Sequence, residues 1–249
     1  RSELSGRTSA SQVAEVRPQV TGIIKRRLFE EGSQVNEGDV LYEIDPSSYQ
    51  SAYDGALAAV VRAEANLPTA QSKLKRAKNL TKQNVLPVQQ LEEAELAVAQ
   101  TVADLQVAKA QLAAAEVNLE RTRVRAPISG RVGRSELTVG TLVSAGQAQP
   151  LATIRDLSTI NVDVNRSSSE YLELKSKIDS GVIRNEDGHA KVTLLLDDGS
   201  VYPHEGKLAF SEVSINETTG THTLRAEFPN PEGTLMPGMF VRAVLTVGV

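Results

Sequence analysis

The sequence predicts an elongated α+β protein of several domains. A β-rich unit is split by a long antiparallel α-helical coiled-coil hairpin, and a small antiparallel β-barrel follows. Three observations predict this fold class: a glycine-containing motif that occurs twice, a heptad pattern between its copies, and closely spaced short strands after the second copy. The chain has 249 residues, of which 40% are hydrophobic and 23% charged, as is typical of globular domains.

The repeated motif occupies residues 20–38 and 128–146, so the copies are offset by 108 residues. Three glycines of the first copy match three of the second: Gly22, Gly32 and Gly38 match Gly130, Gly140 and Gly146. Short Val- and Ile-rich runs separate these glycines, so we predict that they form turns between short strands. We interpret the pattern as a duplication; the alternative is two unrelated β-hairpins.

Between the copies, residues recur every seven positions along two lines in each of two segments. The lines are Tyr53, Val60, Leu67, Leu74, Thr81 and Tyr49, Ala56, Ala63, Ala70, Ala77, followed by Leu91, Val98, Leu105, Leu112, Leu119 and Ala94, Thr101, Ala108, Ala115, Thr122. Heptads of this extent predict a coiled coil. Each helix has roughly 35 residues and is about 50 Å long.

Prolines and a capping residue define the predicted helix ends. Asp45 supplies an N-cap acceptor before Pro46, and Pro87 is predicted at the first helical position of the second helix. Pro68 lies inside the first helix, where we expect a bend or a local break.

The two predicted helices differ in charge. Residues 46–85 carry six basic and two acidic side chains, a net charge of +4, and residues 88–121 carry the reverse, −4. Two interpretations are compatible: the helices pair with each other, or the basic cluster from Lys73 to Lys82 meets an acidic partner.

The last third of the chain returns to a β pattern. Residues 159–164 alternate polar and apolar side chains, and Ser167 and Glu170 form a capping box before a short helix that ends near Ile178. Further strands are predicted at 191–196, 207–215, 221–228 and 240–247, with a hairpin turn at residues 198–199. Strands of this density predict a small antiparallel barrel.

Several function classes are excluded by what the sequence lacks. It has no Cys, three dispersed His residues and no phosphate-binding or nucleophile motif, so we expect neither an enzyme nor a metal or cofactor site. A net charge of −4 argues against nucleic acid as a partner. No apolar run approaches 18 residues and no signal peptide is visible, so we expect a mature or trimmed chain.

Six segments together resemble the membrane fusion, or periplasmic adaptor, family of the AcrA/MexA type that serves RND transporters. They are VRPQVTGI (16–23), EGS (31–33), GDVLYEIDP (38–46), APISGRVG (126–133), FPNP (228–231) and LMPGMFV (235–241). The resemblance implies that 15–45 and 123–154 form a lipoyl-like β-sandwich, 46–122 a helical hairpin and 155–249 a β-barrel. Residues 1–14 are expected to be a remnant of the barrel or of a membrane-proximal domain.

The resemblance also implies a docking site at the hairpin tip. The family pattern there is Arg-x-x-x-Leu, six further residues, and Ser. Arg76 and Leu80 match this pattern, Pro87 replaces the Ser, and Lys82 adds a charge nearby. The alternative is that Arg76 is an ordinary exposed charge and Leu80 a core leucine.

The family's partners are an inner-membrane RND transporter and a TolC-like outer-membrane channel. The resemblance further implies a periplasmic location and self-association as a trimer or hexamer through the lipoyl and barrel sides. A lipid anchor, expected on a Cys that this chain lacks, would attach the protein to the inner membrane.

Two alternatives compete with this interpretation. One is an adaptor for an ABC-type exporter. The other is a lipoyl or biotin carrier, which requires a modifiable lysine where the two half-motifs join, and no lysine occurs there. Dispersed His and two Met residues favour export of drugs or amphiphiles over export of metal ions.

Overall fold

The structure is a computed structural model that describes residues 2–83, 85–167, 169, 176, 191–209, 215–216 and 221–245. The helices are α1 (Ser47–Lys82) and α2 (Val88–Glu120). The strands are β1 (Ser2–Val16), β2 (Gly22–Arg27), β3 (Gln34–Val35), β4 (Val40–Ile44), β5 (Arg123–Arg125), β6 (Gly130–Val132), β7 (Leu142–Val143), β8 (Ala152–Ser167), β9 (Lys191–Leu196), β10 (Gly206–Ala209), β11 (Ile215–Asn216), β12 (Thr221–Pro229) and β13 (Phe240–Leu245). Most of the short helix predicted to end near Ile178 lies outside the described residues.

The two half-motifs form a β-sandwich. One sheet has the order β5-β4-β2-β7, and the other consists of the second part of β1, the first part of β8, β6 and β3. The Tyr42 side chain is fully buried between them, and its hydroxyl donates to Leu151 O at 2.9 Å. Burial raises the pKa of Tyr42, so the phenol remains a hydrogen-bond donor at neutral pH.

The half-motifs are interlocked by hydrogen bonds that repeat with the 108-residue offset. They run from Gly32 N–H to Val132 O (2.9 Å), Gly140 N–H to Ile24 O (2.8 Å), Gly38 N–H to Ala126 O (2.9 Å) and Gly146 N–H to Pro18 O (2.9 Å). Strand pairing has the same symmetry, since β2 pairs with β7 and β3 pairs with β6. Each half therefore completes the other, and the interpretation as unrelated hairpins is wrong.

Four of the six matched glycines occupy turns, and two do not. Gly32, Gly38, Gly140 and Gly146 have φ angles of 79°, 89°, 91° and 69°, as a left-handed turn requires. The turn prediction is wrong for Gly22 and Gly130, which begin β2 and β6. A Cβ on Gly130 would lie 2.5 Å from Arg155 O, and one on Gly22 would lie 2.6 Å from Ile44 Cγ2. These two positions require glycine because another chain segment passes too close.

The two helices pack along the predicted heptad lines. Every residue of those lines is buried or partly buried, whereas nearly all other helix positions are exposed. Val60, Leu105 and Ala108 form the most buried cluster. Lys109 Nζ lies 3.3 Å from Glu64 Oε1, and a second salt bridge of 3.3 Å joins Lys78 to Glu95. The two salt bridges together are possible only if the helices are antiparallel. Part of the opposite charge of α1 and α2 is therefore accounted for by ion pairs between the two helices.

Both helices begin one residue later than predicted, because their N-cap residues are Pro46 and Pro87. The Asp45 carboxylate accepts hydrogen bonds from the Ser47 hydroxyl and N–H, which hold the pKa of Asp45 below its usual range. Helix α1 continues through Pro68, so the expected local break is wrong. Pro87 has φ −59° and ψ 146° and precedes α2, so it is the N-cap and not the first helical residue. Its ψ angle is extended and not helical, so the helix begins only at the next residue, Val88.

The barrel is closed by six strands in the order β12-β10-β9-β13-β1-β8, with β12 pairing back to β8. β1 and β8 run continuously from sandwich to barrel, with a bulge between Ala10 and Gln12. Ser2–Arg7, at the start of the predicted segment 1–14, pairs with β13 inside the barrel. The domain boundary falls within two continuous strands.

Two buried polar side chains fix the barrel turns. Asn230 Nδ2 donates to Leu157 O and Leu235 O, both at 2.9 Å, and its Oδ1 accepts from Leu235 N–H. Thr8 Oγ1 donates to Met236 O at 2.6 Å and accepts from Met239 N–H. The FPNP and LMPGMFV segments are thus held in place by hydrogen bonds.

Replacing Leu105 by Ala should destabilise the hairpin by about 2 kcal/mol, because this side chain is 7% exposed within the helix seam. Leu96→Ala is the matched control, since Leu96 is 58% exposed on the same helix. Urea unfolding followed by the helical circular dichroism signal measures both. Equal losses of stability in the two variants would contradict the burial of Leu105 in the seam between the helices.

Gly130→Ala should lower the free energy of unfolding by about 3 kcal/mol, because the added methyl group would clash with a backbone oxygen, that of Arg155. Gly140→Ala should cost about 1 kcal/mol, the strain of a positive φ angle in open space. Thermal unfolding of the two variants tests this ranking. A larger loss of stability in Gly140→Ala than in Gly130→Ala would contradict the roles given to the two glycines.

Candidate functional site

The tip of the hairpin is a short, hydrogen-bonded reversal between α1 and α2. Leu80 O accepts hydrogen bonds from Gln83 N–H at 3.2 Å and from Val85 N–H at 3.0 Å. Thr81 Oγ1 donates to Ala77 O at 2.9 Å in the last turn of α1. The two bonds to Leu80 O satisfy a carbonyl group that a helix end otherwise leaves unpaired, so the last turn of α1 is hydrogen-bonded up to the tip.

Lys73, Arg76 and Leu80 lie on one face of α1, because they are three and four residues apart. Arg76 is exposed and makes no hydrogen bond or ion pair among the described residues. Leu80 is 39% exposed and does not belong to the seam between the helices. Arg76 and Leu80 are therefore neighbours on an accessible surface, which favours the docking interpretation over that of a core leucine.

Lys75, Lys78 and Lys82 form a separate stripe on α1. Lys78 is paired with Glu95, so this stripe lies beside α2. Lys82 is in the last turn, where a positive charge is favourable near the helix C-terminus. Lys82 is thus not on the face that carries Arg76.

Pro87 is exposed between two exposed apolar side chains, Val85 at 66% and Val88 at 61%. A proline has neither a hydroxyl nor a backbone N–H, so Pro87 itself can offer only apolar contact and its backbone carbonyl. Neither valine was among the predicted tip residues, although their position around a helix-breaking proline was the available signal. The tip therefore combines free positive charge with a small apolar surface, which suits binding to another protein.

The described residues contain no group of three or more His, Cys, Asp or Glu residues that could hold a metal ion. Neither α1 nor α2, the two long helices of the described part of the chain, is apolar enough to span a bilayer.

Comparison with known protein families assigns both β domains. Residues 12–155 match the barrel-sandwich hybrid domain of RND membrane fusion proteins, and residues 159–249 match the β-barrel domain of the same proteins. The chain belongs to the RND membrane fusion protein family. The boundary between the two matches, at 156–158, lies inside β8, in agreement with a strand shared by both domains.

Individual relatives of this RND membrane fusion protein extend over the whole chain. The "Multidrug efflux pump subunit AcrA" of Escherichia coli strain K12 is 47% identical over 247 residues, covering 99% of this chain and 62% of the relative. The "Multidrug/solvent efflux pump periplasmic linker protein MepA" of Pseudomonas putida is 49% identical over 249 residues, 100% of this chain and 61% of the relative. The chain thus spans somewhat under two thirds of the length of these relatives.

A solved structure supports the fold. The membrane fusion protein Spr0693 from Streptococcus pneumoniae R6 superposes with a TM-score of 0.73 at 19% identity, covering 100% of both chains. At this identity the likeness concerns the fold alone.

Proposed function

We propose that this chain is the periplasmic part of an adaptor that links an inner-membrane RND transporter to a TolC-like outer-membrane channel in a multidrug efflux complex. Similarity to AcrA and MepA across the chain is the observation that carries the proposal. A protein of this kind acts by contact, so its functional residues are docking residues and none is catalytic. The exported compounds would be drugs and other amphiphiles.

The hairpin is the element that would reach the outer-membrane channel as a coiled coil. Its two helices have 36 and 33 residues, so each extends about 50 Å at 1.5 Å per residue. Arg76 and Leu80 would make the primary contact at its tip. Pro87 and Lys82 would contribute an apolar contact and a charge on neighbouring faces. The barrel would then face the transporter, and a lipid anchor outside this chain would attach the adaptor to the inner membrane.

Several copies would pack side by side around the conduit, as a trimer or hexamer. The outer face of α2 supports such packing, because it presents Leu96, Val107 and Val117 to solvent with alanines between them. The opposite net charges of the two helices favour contact between α1 of one copy and α2 of the next. The lipoyl and barrel sides would complete the contact.

The competing functions have less support. A carrier domain would present a lysine on the turn between β4 and β5, but this turn is replaced by the hairpin, which is tied to the sandwich by a hydrogen bond from Ile44 N–H to Thr122 O at 2.8 Å. An ABC-type exporter partner is not favoured, because both matching domain families are those of RND proteins.

Cysteine crosslinking tests the docking site directly, since the chain has no Cys of its own. Single variants Arg76→Cys and Leu80→Cys should crosslink to a purified TolC-like channel, because both side chains are accessible on one face of the tip. Mass spectrometry of the crosslinked peptides locates the contact.

Asn118→Cys is the matched control, an exposed position on α2 close to the sandwich. Crosslinks from positions 76 and 80 but not from 118 are the expected result. Equal yields at all three positions, or none at the tip, would contradict docking through the tip.

A further inference from the structure

A cavity of about 780 Å³ lies where the sandwich meets the end of the hairpin. Its walls are two short segments related by the 108-residue offset, residues 15–19 and 123–127, and the end of α2 contributes Glu120 and Arg121. The hairpin tip and the barrel do not contribute to it. A volume of this size is within the range that accommodates a ligand.

Four arginines line this cavity, and two of them are tied in place. Arg17 pairs with Glu15 and donates to Gln147 O at 2.7 Å. Arg125, its counterpart in the second half-motif, donates to Gly38 O at 2.9 Å and lies 3.6 Å from Glu120. The two lining carboxylates are therefore already paired with these two guanidinium groups.

Arg121 and Arg123 are the other two arginines. Both side chains are exposed, and neither makes a hydrogen bond or ion pair within the described part of the chain. The cavity thus carries two uncompensated positive charges, although the chain as a whole is acidic at −4.

The two walls are also strand edges. Among the described residues β5 pairs only with β4, and β1 beyond Arg7 pairs only with β8. An edge without a neighbouring strand presents N–H and C=O groups that can pair with an added strand. Charged side chains on such edges often only prevent unwanted pairing. Here four arginines and two carboxylates line the same cavity, so its lining has a net charge of +2, which favours a ligand of opposite charge.

We infer that this cavity binds an extended acidic segment of a partner polypeptide by strand addition. The main chain of the segment pairs with the edge of β5 or β1, and its carboxylates meet Arg121 and Arg123. Arg17 and Arg125 stabilise the two walls of the cavity through their hydrogen bonds to backbone carbonyls. This site is independent of the hairpin tip, so it does not depend on the proposed channel contact.

Fluorescence anisotropy with labelled hexa-L-glutamate tests the inference on the full chain. The Arg121→Ala/Arg123→Ala double variant should bind this peptide at least roughly fivefold more weakly, since exposed ion pairs contribute modestly. Raising the salt concentration should weaken binding further. Arg134→Ala, on an exposed arginine of the sandwich away from the cavity, should leave the affinity unchanged.

Hydrogen exchange distinguishes strand addition from simple charge attraction. Bound hexa-L-glutamate should slow amide exchange at 15–17 or 123–125. Hexa-L-glutamine and hexa-D-glutamate should bind more weakly, the first because it lacks charge and the second because its chirality disfavours pairing in a sheet.

Three results would overturn the inference. One is loss of binding in Lys73→Ala/Lys75→Ala but not in the cavity variant, which would place the peptide on the hairpin. Another is equal binding of the D-peptide without slowed exchange. The third is competition by tripolyphosphate at equal affinity, which would identify a site for small anions.

Discussion

The reciprocal hydrogen bonds between the two half-motifs are the interaction on which the rest of the fold depends. Each half supplies two glycine turns, and the N–H groups of these glycines donate to carbonyls of the other half at 2.8 to 2.9 Å. Neither half has enough strands to bury its own Val and Ile residues, since sheets of two strands are marginal alone. Interlocking produces one core from two segments that are 108 residues apart in sequence.

This arrangement also supports the hairpin and the barrel. α1 follows β4 and α2 leads into β5, and these two strands pair directly, so both ends of the hairpin begin from one rigid edge. β1 and β8 leave the sandwich as paired strands and enter the barrel without a linker. The tip and the barrel are therefore connected through continuous secondary structure, as the proposed adaptor role requires.

Local periodicity made most of the fold predictable. The heptad lines gave the buried face of both helices residue by residue, because side chains seven residues apart share a face over this length. The matched glycines predicted the duplication, but spacing alone could not separate a turn such as Gly140 from a close approach such as Gly130. Thr8 was missed because its partner turn lies some 230 residues away. Pro46 and Pro87 were each misplaced by one position because proline suits both the N-cap and the first helical turn.

The most direct test of this account replaces residues 47–120 by Asn-Gly, a two-residue turn suited to joining paired antiparallel strands. Hydrogen exchange at Gly32, Gly38, Gly140 and Gly146 is the measurement. The account predicts that all four amides remain slow to exchange and that the variant unfolds cooperatively, because the interlocked halves need no contribution from the hairpin. Rapid exchange at all four glycines, with the barrel still folded, would contradict it.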